Sequence, residues 1–127
     1  MAHAKIMIVD DEVDLVRALT LRFKSAGYEV VTATDGVTAT QVAVREQPDA
    51  IVLDIGLPGG DGHTVAERLR SNMKTMSIPV VYLTARSSEK DKQRAAALGA
   101  AAYLTKPFKA EELLEVVTRL VVGVSVG

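Results

Sequence analysis

The sequence predicts an α/β fold, in which five parallel strands form one doubly wound sheet with five helices on both faces. Short segments rich in β-branched and other apolar residues alternate five times with longer segments whose apolar residues recur at helical spacing. This alternation is typical of a parallel sheet, because right-handed crossovers place the connecting helices over its two faces. A length of 127 residues fits a single domain of this kind.

Each predicted strand is a short apolar run bounded by charged or turn-forming residues, and each is followed by a helical pattern. The strands are predicted at 5–9, 29–33, 50–53, 79–83 and 101–104. The helices are predicted from Val13 to Gly27, from Gly36 to about Gln47, around Val65, Leu69 and Met73, from a capping box at Ser88 and Asp91 to Leu98, and over 109–122.

Composition excludes several classes of protein. With 48% hydrophobic and 24% charged residues the chain is not disordered, and a net charge of −1 gives no electrostatic reason to bind nucleic acid or an anionic membrane. Without cysteine it has no disulfide and no thiolate metal site. No signal peptide and no membrane-spanning run is present, so we expect a cytoplasmic protein.

Five polar side chains stand at the ends of the predicted strands. Asp10 and Asp11 follow the first strand and Asp54 the third, while Thr84 follows the fourth and Lys106 the fifth. Doubly wound folds bind their ligands beyond the carboxyl ends of the strands. We therefore expect three carboxylates, a hydroxyl and an ammonium group to converge on one rim of the sheet.

The charges of these groups predict their chemistry. Two carboxylates about 4 Å apart repel by about 4 kcal/mol at an effective dielectric near 20, and a single lysine leaves surplus negative charge. Oxygen ligands suit a hard cation such as Mg²⁺, and a carboxylate beside Mg²⁺, a lysine and a hydroxyl is equipped to attack phosphorus. His3 and His63 are not spaced with these residues, which argues against zinc, and His63 is interpreted as a solvated residue at a helix start.

A set of motifs in a defined order carries a family resemblance. The motifs are Val9-Asp10-Asp11-Glu12, Leu53-Asp54-Ile55-Gly56-Leu57-Pro58, Asp61-Gly62, Leu83-Thr84-Ala85, Leu98-Gly99-Ala100 and Lys106-Pro107-Phe108. Over essentially its whole length the chain resembles the receiver domain of bacterial two-component response regulators. The resemblance implies the strand order 2-1-3-4-5, which the chemotaxis regulator of that family has. It also implies a phosphorylation-dependent signalling switch.

The resemblance implies a role for each acidic site residue. Asp54 matches the phosphoacceptor, which takes a phosphoryl group from a phosphohistidine on a sensor kinase, and its carboxylate also binds the metal. Asp11 matches the direct Mg²⁺ ligand and Asp10 the ligand that acts largely through water. The backbone carbonyl of Gly56 matches a further ligand, and Mn²⁺ is an alternative to Mg²⁺.

The remaining roles belong to the fourth and fifth strand ends. Lys106 matches the lysine that pairs with the acceptor and then with the phosphate, and its peptide bond with Pro107 is expected to be cis. Thr84 matches the hydroxyl that moves toward the phosphate, and Tyr103 the aromatic that swings inward with it. The expected protein is a phosphoacceptor that assists its own phosphorylation and dephosphorylation, and not a turnover enzyme. A partner would read the changed surface of the fourth helix, fifth strand and fifth helix.

The expected domain organisation is a receiver over residues 1–122, with 123–127 as a short tail or the start of a truncated linker. The expected partners are a sensor histidine kinase or a phosphotransfer protein, and a downstream protein or a missing output domain. No direct contact with nucleic acid or membrane is expected.

The chain departs from the family pattern in three places. Gly56 and Gly60 stand where larger side chains are usual, so we hypothesise that water reaches the acyl phosphate easily and that Arg86 partly screens it. Ala101 and Ala102 stand where the winged-helix transcription factors of the family carry acidic residues before the switch aromatic. Their absence argues against that branch's salt-bridged dimer.

Other interpretations of the same residues remain open. Taken singly, Asp10 and Asp11 are ordinary helix-capping residues, and Lys106, Thr84 and Tyr103 have common structural roles. Among whole-protein alternatives, a degenerate receiver would act as a phosphorylation-independent interaction module. A phosphatase of the haloacid dehalogenase type also uses an aspartyl nucleophile with Mg²⁺, but it needs a second aspartate two positions later. A flavodoxin-type carrier needs a glycine- and hydroxyl-rich phosphate loop after the first strand.

Overall fold

The structure, a computed structural model, describes residues 3–57, 62–85 and 89–125. Its strands are β1 (Lys5–Val9), β2 (Glu29–Ala33), β3 (Ala50–Asp54), β4 (Val80–Thr84) and β5 (Ala102–Thr105). All neighbouring strands pair in parallel, in the order β2-β1-β3-β4-β5. The predicted doubly wound α/β fold and its strand order are confirmed.

The helices lie between and after the strands. They are α1 (Val13–Ser25), α2 (Gly36–Glu46), α3 (Gly62–Arg70), α4 (Glu89–Ala97) and α5 (Ala110–Ser125). Asp35 caps α2 by accepting a hydrogen bond from the backbone N–H of Thr38 at 2.8 Å. None of the helices among the described residues is long and apolar enough to cross a lipid bilayer.

The sheet divides the core into two halves because side chains on a strand alternate between its faces. Ile6 and Ile8 of β1 pack with the apolar residues of α1 and α5, including the fully buried Phe23 and Leu113. Met7 of β1 packs on the other face with residues of α2, α3 and α4. Burying each large side chain in these halves stabilises the fold by about 1.5–3 kcal/mol.

Two predicted helix features are wrong. Met73 is not part of the third helix, which ends at Arg70, and its side chain is 89% exposed. Two local hydrogen bonds end the helix. The buried hydroxyl of Thr75 donates to the carbonyl of Leu69 at 2.7 Å, and the backbone N–H of Lys74 donates to the side chain of Asn72. The chain therefore leaves the helical path after Arg70.

The last helix continues to Ser125, three residues beyond the predicted end at Val122. Leu113, Val117 and Val121 are buried at intervals of four residues, so the apolar stripe continues to the end of the predicted range and no proline interrupts it. Three strands also begin or end one residue later than predicted. Pro79 lies just before β4, because proline has no N–H to donate to the neighbouring strand. Its carbonyl still accepts a hydrogen bond from the backbone N–H of Ile51 at 3.0 Å.

Candidate functional site

The carboxyl ends of the strands bring the predicted site residues together. Asp54 is the last residue of β3 and Thr84 the last of β4, while Asp10 and Lys106 come directly after β1 and β5. A cleft of about 410 Å³ opens at this rim. The residues that line it are Asp11, Glu12, Asp54, Ile55, Gly56, His63, Thr84, Ala85, Arg94 and Lys106.

Three carboxylates form the acidic side of this cleft. One oxygen from each of Asp10, Asp11 and Asp54 lies within 4.8 Å of the others. Asp10 is fully buried and Asp54 is 7% exposed, whereas Asp11 faces solvent. Asp10 also accepts a hydrogen bond from the backbone N–H of Glu12 at 2.9 Å, which holds the turn into α1. Asp10 therefore orders the turn before α1 but does not cap the helix, since the N-cap residue is Glu12 and α1 has no side-chain cap.

Lys106 carries the positive charge of the cluster. Its Nζ atom lies 2.9 Å from Asp10, 3.5 Å from Glu12 and 3.7 Å from Asp54, each measured to one carboxylate oxygen. Its backbone N–H donates to the carbonyl of Thr84 at 2.7 Å, which ties the ends of β4 and β5 together. The peptide bond between Lys106 and Pro107 is cis.

The electrostatics of the cluster agree with this crowding of like charges. Burial raises the pKa of Asp54, and the charges of Asp10 and Asp11 raise it further, against the hydrogen bond from Gly56 and the charge of Lys106. Burial lowers the pKa of Lys106, but its hydrogen bond to Asp10 and the surrounding carboxylates outweigh burial and leave the pKa raised. The lysine therefore stays charged while Asp54 is poorly compensated.

Two glycines shape the backbone around Asp54. The N–H of Gly56 donates to Asp54 Oδ1 at 3.1 Å, and among the described residues a Cβ at this position would meet that oxygen alone, at 3.8 Å. Gly62 is the opposite case, because a Cβ there would come within 2.4 Å of Ile55 Cα and 2.6 Å of the Asp54 carbonyl oxygen. The start of α3 therefore depends on glycine to approach the end of β3, while the position of Gly56 does not require one.

The prediction that His63 is solvated is wrong, since only 5% of the residue is exposed. Its ring packs edge-on against Tyr82 with centroids 5.8 Å apart, and it lines the cleft. A second, narrow gap, too small to admit a water molecule, lies between His63, Ile55, Thr84 and Tyr103. The close approach of Gly62 to β3 carries the next residue inward, which a helix pattern alone does not reveal.

Sequence reasoning also missed Glu12 and Arg94 as cleft residues. Glu12 enters the sequence analysis only within a motif, and Arg94 reaches the cleft from α4. Glu12 directly follows Asp11, which the sequence already placed at the site, whereas Arg94 lies far in sequence from every predicted site residue and no local pattern indicates it. The predictions that concern Gly60, Arg86 and the Ser88 cap fall outside the described residues.

The donor set fits a hard divalent cation. Every candidate ligand atom is an oxygen, and the described part of the chain brings no histidine or cysteine into the group of possible ligands. Mg²⁺ binds its ligands at about 2.0–2.1 Å and keeps several waters. A spread of 4.8 Å between carboxylate oxygens therefore suits one ion held partly through water, with Asp10, Asp11 and Asp54 as the side-chain ligands.

Comparison with known proteins agrees with this geometry. The family model described as the response regulator receiver domain matches residues 6–118 of this chain. The chain is 44% identical over 110 residues to the DNA-binding dual master transcriptional regulator RpaA of Synechocystis sp., which covers 87% of this chain and 46% of the relative. The chain thus spans about half the length of that relative.

Solved structures show the same fold. The chemotaxis response regulator CheY4 of Vibrio cholerae superimposes with a TM-score of 0.88 at 33% identity, covering 94% of this chain and 99% of that one. The receiver domain of the sensor histidine kinase PA1611 from Pseudomonas aeruginosa, which holds a magnesium ion in its active site cleft, gives 0.81 at 31% identity, covering 94% and 98%. The chain belongs to the response regulator receiver domain family, whose members are signalling domains of two-component systems.

Proposed function

We propose that this chain is a phosphorylation-dependent switch in a two-component phosphorelay, in which Asp54 accepts a phosphoryl group from the phosphohistidine of a sensor kinase. The observation that carries the proposal is the cluster of Asp10, Asp11 and Asp54 within 4.8 Å, with Lys106 Nζ 3.7 Å from Asp54. A nucleophilic carboxylate, a metal site and a cation within this distance are the parts that phosphoryl transfer requires.

In the proposed reaction a carboxylate oxygen of Asp54 attacks phosphorus, and the bond between phosphorus and the donor's imidazole nitrogen breaks. The departing imidazole keeps the electron pair of that bond and takes a proton from solvent. The N–H of Gly56, 3.1 Å from Asp54 Oδ1, orients the carboxylate before attack. Mg²⁺, when bound by Asp10, Asp11, Asp54 and the Gly56 carbonyl, would supply positive charge for the transferring oxygens.

Lys106 and Thr84 have the positions to stabilise the product. Lys106 is held between Asp10 and Asp54, so its ammonium group can pair with the phosphoryl oxygens when a group of charge about −1.5 to −2 replaces the single negative charge of the Asp54 carboxylate. Thr84 lines the same cleft and can donate its hydroxyl to a phosphoryl oxygen. Both roles are those predicted for these residues from the sequence.

The signal would leave the site through Thr84 and Tyr103. Both line the narrow gap between β4 and the start of α3, and movement of Thr84 toward the phosphate would enlarge the space open to Tyr103. The domain exchanges between two conformations, one with Tyr103 outside this space and one with Tyr103 inside it, and the phosphate shifts the population toward the second. The surface of α4, β5 and α5 differs between the two conformations. A partner reads that surface.

The proposed partners are a sensor histidine kinase or a phosphotransfer protein upstream, in a cytoplasmic setting, and a downstream protein or an output domain. The relatives include DNA-binding transcriptional regulators of about twice the matched length. We propose that any contact with DNA belongs to such an output domain, because the receiver itself has a net charge of −1.

Neither rival function is as well supported. A haloacid dehalogenase-type phosphatase needs an aspartate two positions after its nucleophile, where this chain has Gly56. A degenerate receiver would have lost part of the acidic or lysine set, yet Asp10, Asp11, Asp54 and Lys106 lie together at one rim. The phosphoacceptor function therefore uses more of the observed geometry than either alternative.

The direct test is to incubate the protein with acetyl phosphate and Mg²⁺ and to measure its intact mass. We expect wild type to gain the mass of one phosphoryl group, and Asp54→Asn to gain none. Asp14→Asn, which changes an exposed carboxylate in the first turn of α1, is the matched control and should gain the same mass as wild type. No mass gain in wild type with fresh donor and metal, or a gain that persists in Asp54→Asn, would contradict the proposal.

A further inference from the structure

Arg94 lines the same cleft as Asp54, Thr84 and Lys106, but it comes from α4. Among the residues whose side chains the structure describes, Arg94 forms no salt bridge with a carboxylate. Other cations on the surface do: Lys5 pairs with Glu46, Arg22 with Glu111, Arg45 with Glu46 and Arg119 with Glu115. Arg94 is therefore a cation at the cleft that no described carboxylate engages.

The charges around the cleft indicate what this cation faces. Four carboxylates, those of Asp10, Asp11, Glu12 and Asp54, surround the site, and the side-chain cations of the described residues there are Lys106 and Arg94. A divalent ion would bring the site close to neutrality. A phosphoryl group on Asp54 then adds negative charge that Lys106 alone does not balance.

Lys106 already forms ion pairs with neighbouring carboxylates. It lies within 4 Å of Asp10, Glu12 and Asp54, so its donors are shared among three carboxylates. A guanidinium group, by contrast, presents several donors in a planar fork and binds phosphate oxygens in pairs. The new phosphoryl oxygens therefore have an available partner in Arg94 and a heavily shared one in Lys106.

The surroundings of Arg94 place its charge near the sheet. Its neighbour in sequence, Ala95, is 1% exposed and packs in the core, so α4 is anchored beside the cleft. Tyr82 of β4 is fully buried, and burial raises the pKa of its hydroxyl to about 12 although the charge of Arg94 acts to lower it. The guanidinium group is thus close enough to the sheet to act on a buried side chain of β4.

We infer that Arg94 binds a phosphoryl oxygen of phosphorylated Asp54 and so connects α4 directly to the phosphate. The inference rests on the proposed phosphorylation of Asp54. It gives α4, part of the surface that a partner would read, its own contact with the signal, in addition to the contact made through Thr84 and Tyr103. Arg94 is accordingly a phosphoryl-binding residue, and it should matter little before phosphorylation.

The test compares Arg94→Gln and Arg94→Lys with Lys92→Gln, which removes an exposed charge of the same helix that does not line the cleft. Binding of beryllofluoride, a tetrahedral phosphoryl analogue, is titrated in Mg²⁺. We expect Arg94→Gln to bind about tenfold more weakly than wild type, which corresponds to about 1.4 kcal/mol, with partial recovery in Arg94→Lys. We expect Lys92→Gln to bind as wild type does.

Two further readouts separate a contact from a change of stability. In wild type the side-chain N–H resonance of Arg94 should shift when beryllofluoride binds, and the thermal melts of the three variants without ligand should agree. Equal beryllofluoride affinity in Arg94→Gln and Lys92→Gln, or an unmoved Arg94 resonance, would overturn the inference while wild type still gains phosphoryl mass. Absence of that mass gain in wild type would overturn the proposed function and this inference with it.

Discussion

Replacing Gly56 by methionine is expected to lengthen the life of the phosphoryl group on Asp54. A Cβ at position 56 would stand 3.8 Å from Asp54 Oδ1, an ordinary van der Waals distance, and no other atom of the described residues lies within 4 Å of it. The backbone there is not in the left-handed region, so a side chain adds no strain and the fold should tolerate it. The added side chain would lie beside the path by which water reaches the acyl phosphate.

The size of the effect follows from how much of that path the side chain covers. Only 7% of Asp54 is exposed, so a few added atoms cover most of what remains open. If one of the three χ1 rotamers of methionine leaves the path open, hydrolysis slows about threefold. If only rare conformers leave it open, hydrolysis slows about tenfold, equivalent to about 1.4 kcal/mol in the barrier.

The assay follows the loss of phosphoryl mass after the donor is removed, at constant Mg²⁺ concentration. Gly56→Ala adds only the Cβ and should fall between wild type and Gly56→Met. Val37→Met places a methionine on the exposed start of α2, away from the cleft, and should match wild type. An unchanged half-life in Gly56→Met, or equal slowing in Val37→Met, would refute the reasoning.

Three further outcomes are expected. The raised pKa of Asp54 means that its ionised form destabilises the folded state. At pH 7 with chelator, Asp54→Asn should therefore melt higher than wild type, by about 4 °C for each kcal/mol of stability regained. The difference should vanish well below the ordinary pKa of 3.8, where Asp54 is neutral in both the folded and the unfolded state. Gly62→Ala should lower stability by more than about 2 kcal/mol in urea unfolding, since its Cβ meets the Ile55 backbone at 2.4 Å. His63→Ala should cost about 1–3 kcal/mol, and His63→Phe less, because the packing on Tyr82 is kept.

Each of these outcomes has a result that would contradict it. Equal melting temperatures of Asp54→Asn and wild type at pH 7 would mean that Lys106 fully compensates the Asp54 charge. A Gly62→Ala variant of native stability would mean that β3 and α3 separate without cost. A His63→Ala variant as stable as wild type would mean that the ring contact with Tyr82 contributes nothing to folding.

Sequence patterns predicted the strands and helices of the fold because the burial of each element leaves a periodic signal in neighbouring residues. Continuous apolar runs predict strands covered on both faces, and all five residues of β3, Asp54 included, are buried. The patterns were less reliable at helix ends. Met73 fits a helical spacing with Leu69, yet the hydrogen bond from Thr75 to the Leu69 carbonyl ends the helix first. A capping contact from six residues away is invisible to periodicity.

The apolar runs place Asp10, Asp54 and Lys106 at strand ends, and in a parallel sheet such residues meet at one rim. The rest of the cleft depends on how distant elements pack. His63 is buried because Gly62 approaches the backbone of β3, and Arg94 reaches the cleft because Ala95 anchors α4 against the sheet. Both depend on distances between elements far apart in the chain, which no spacing along the sequence specifies.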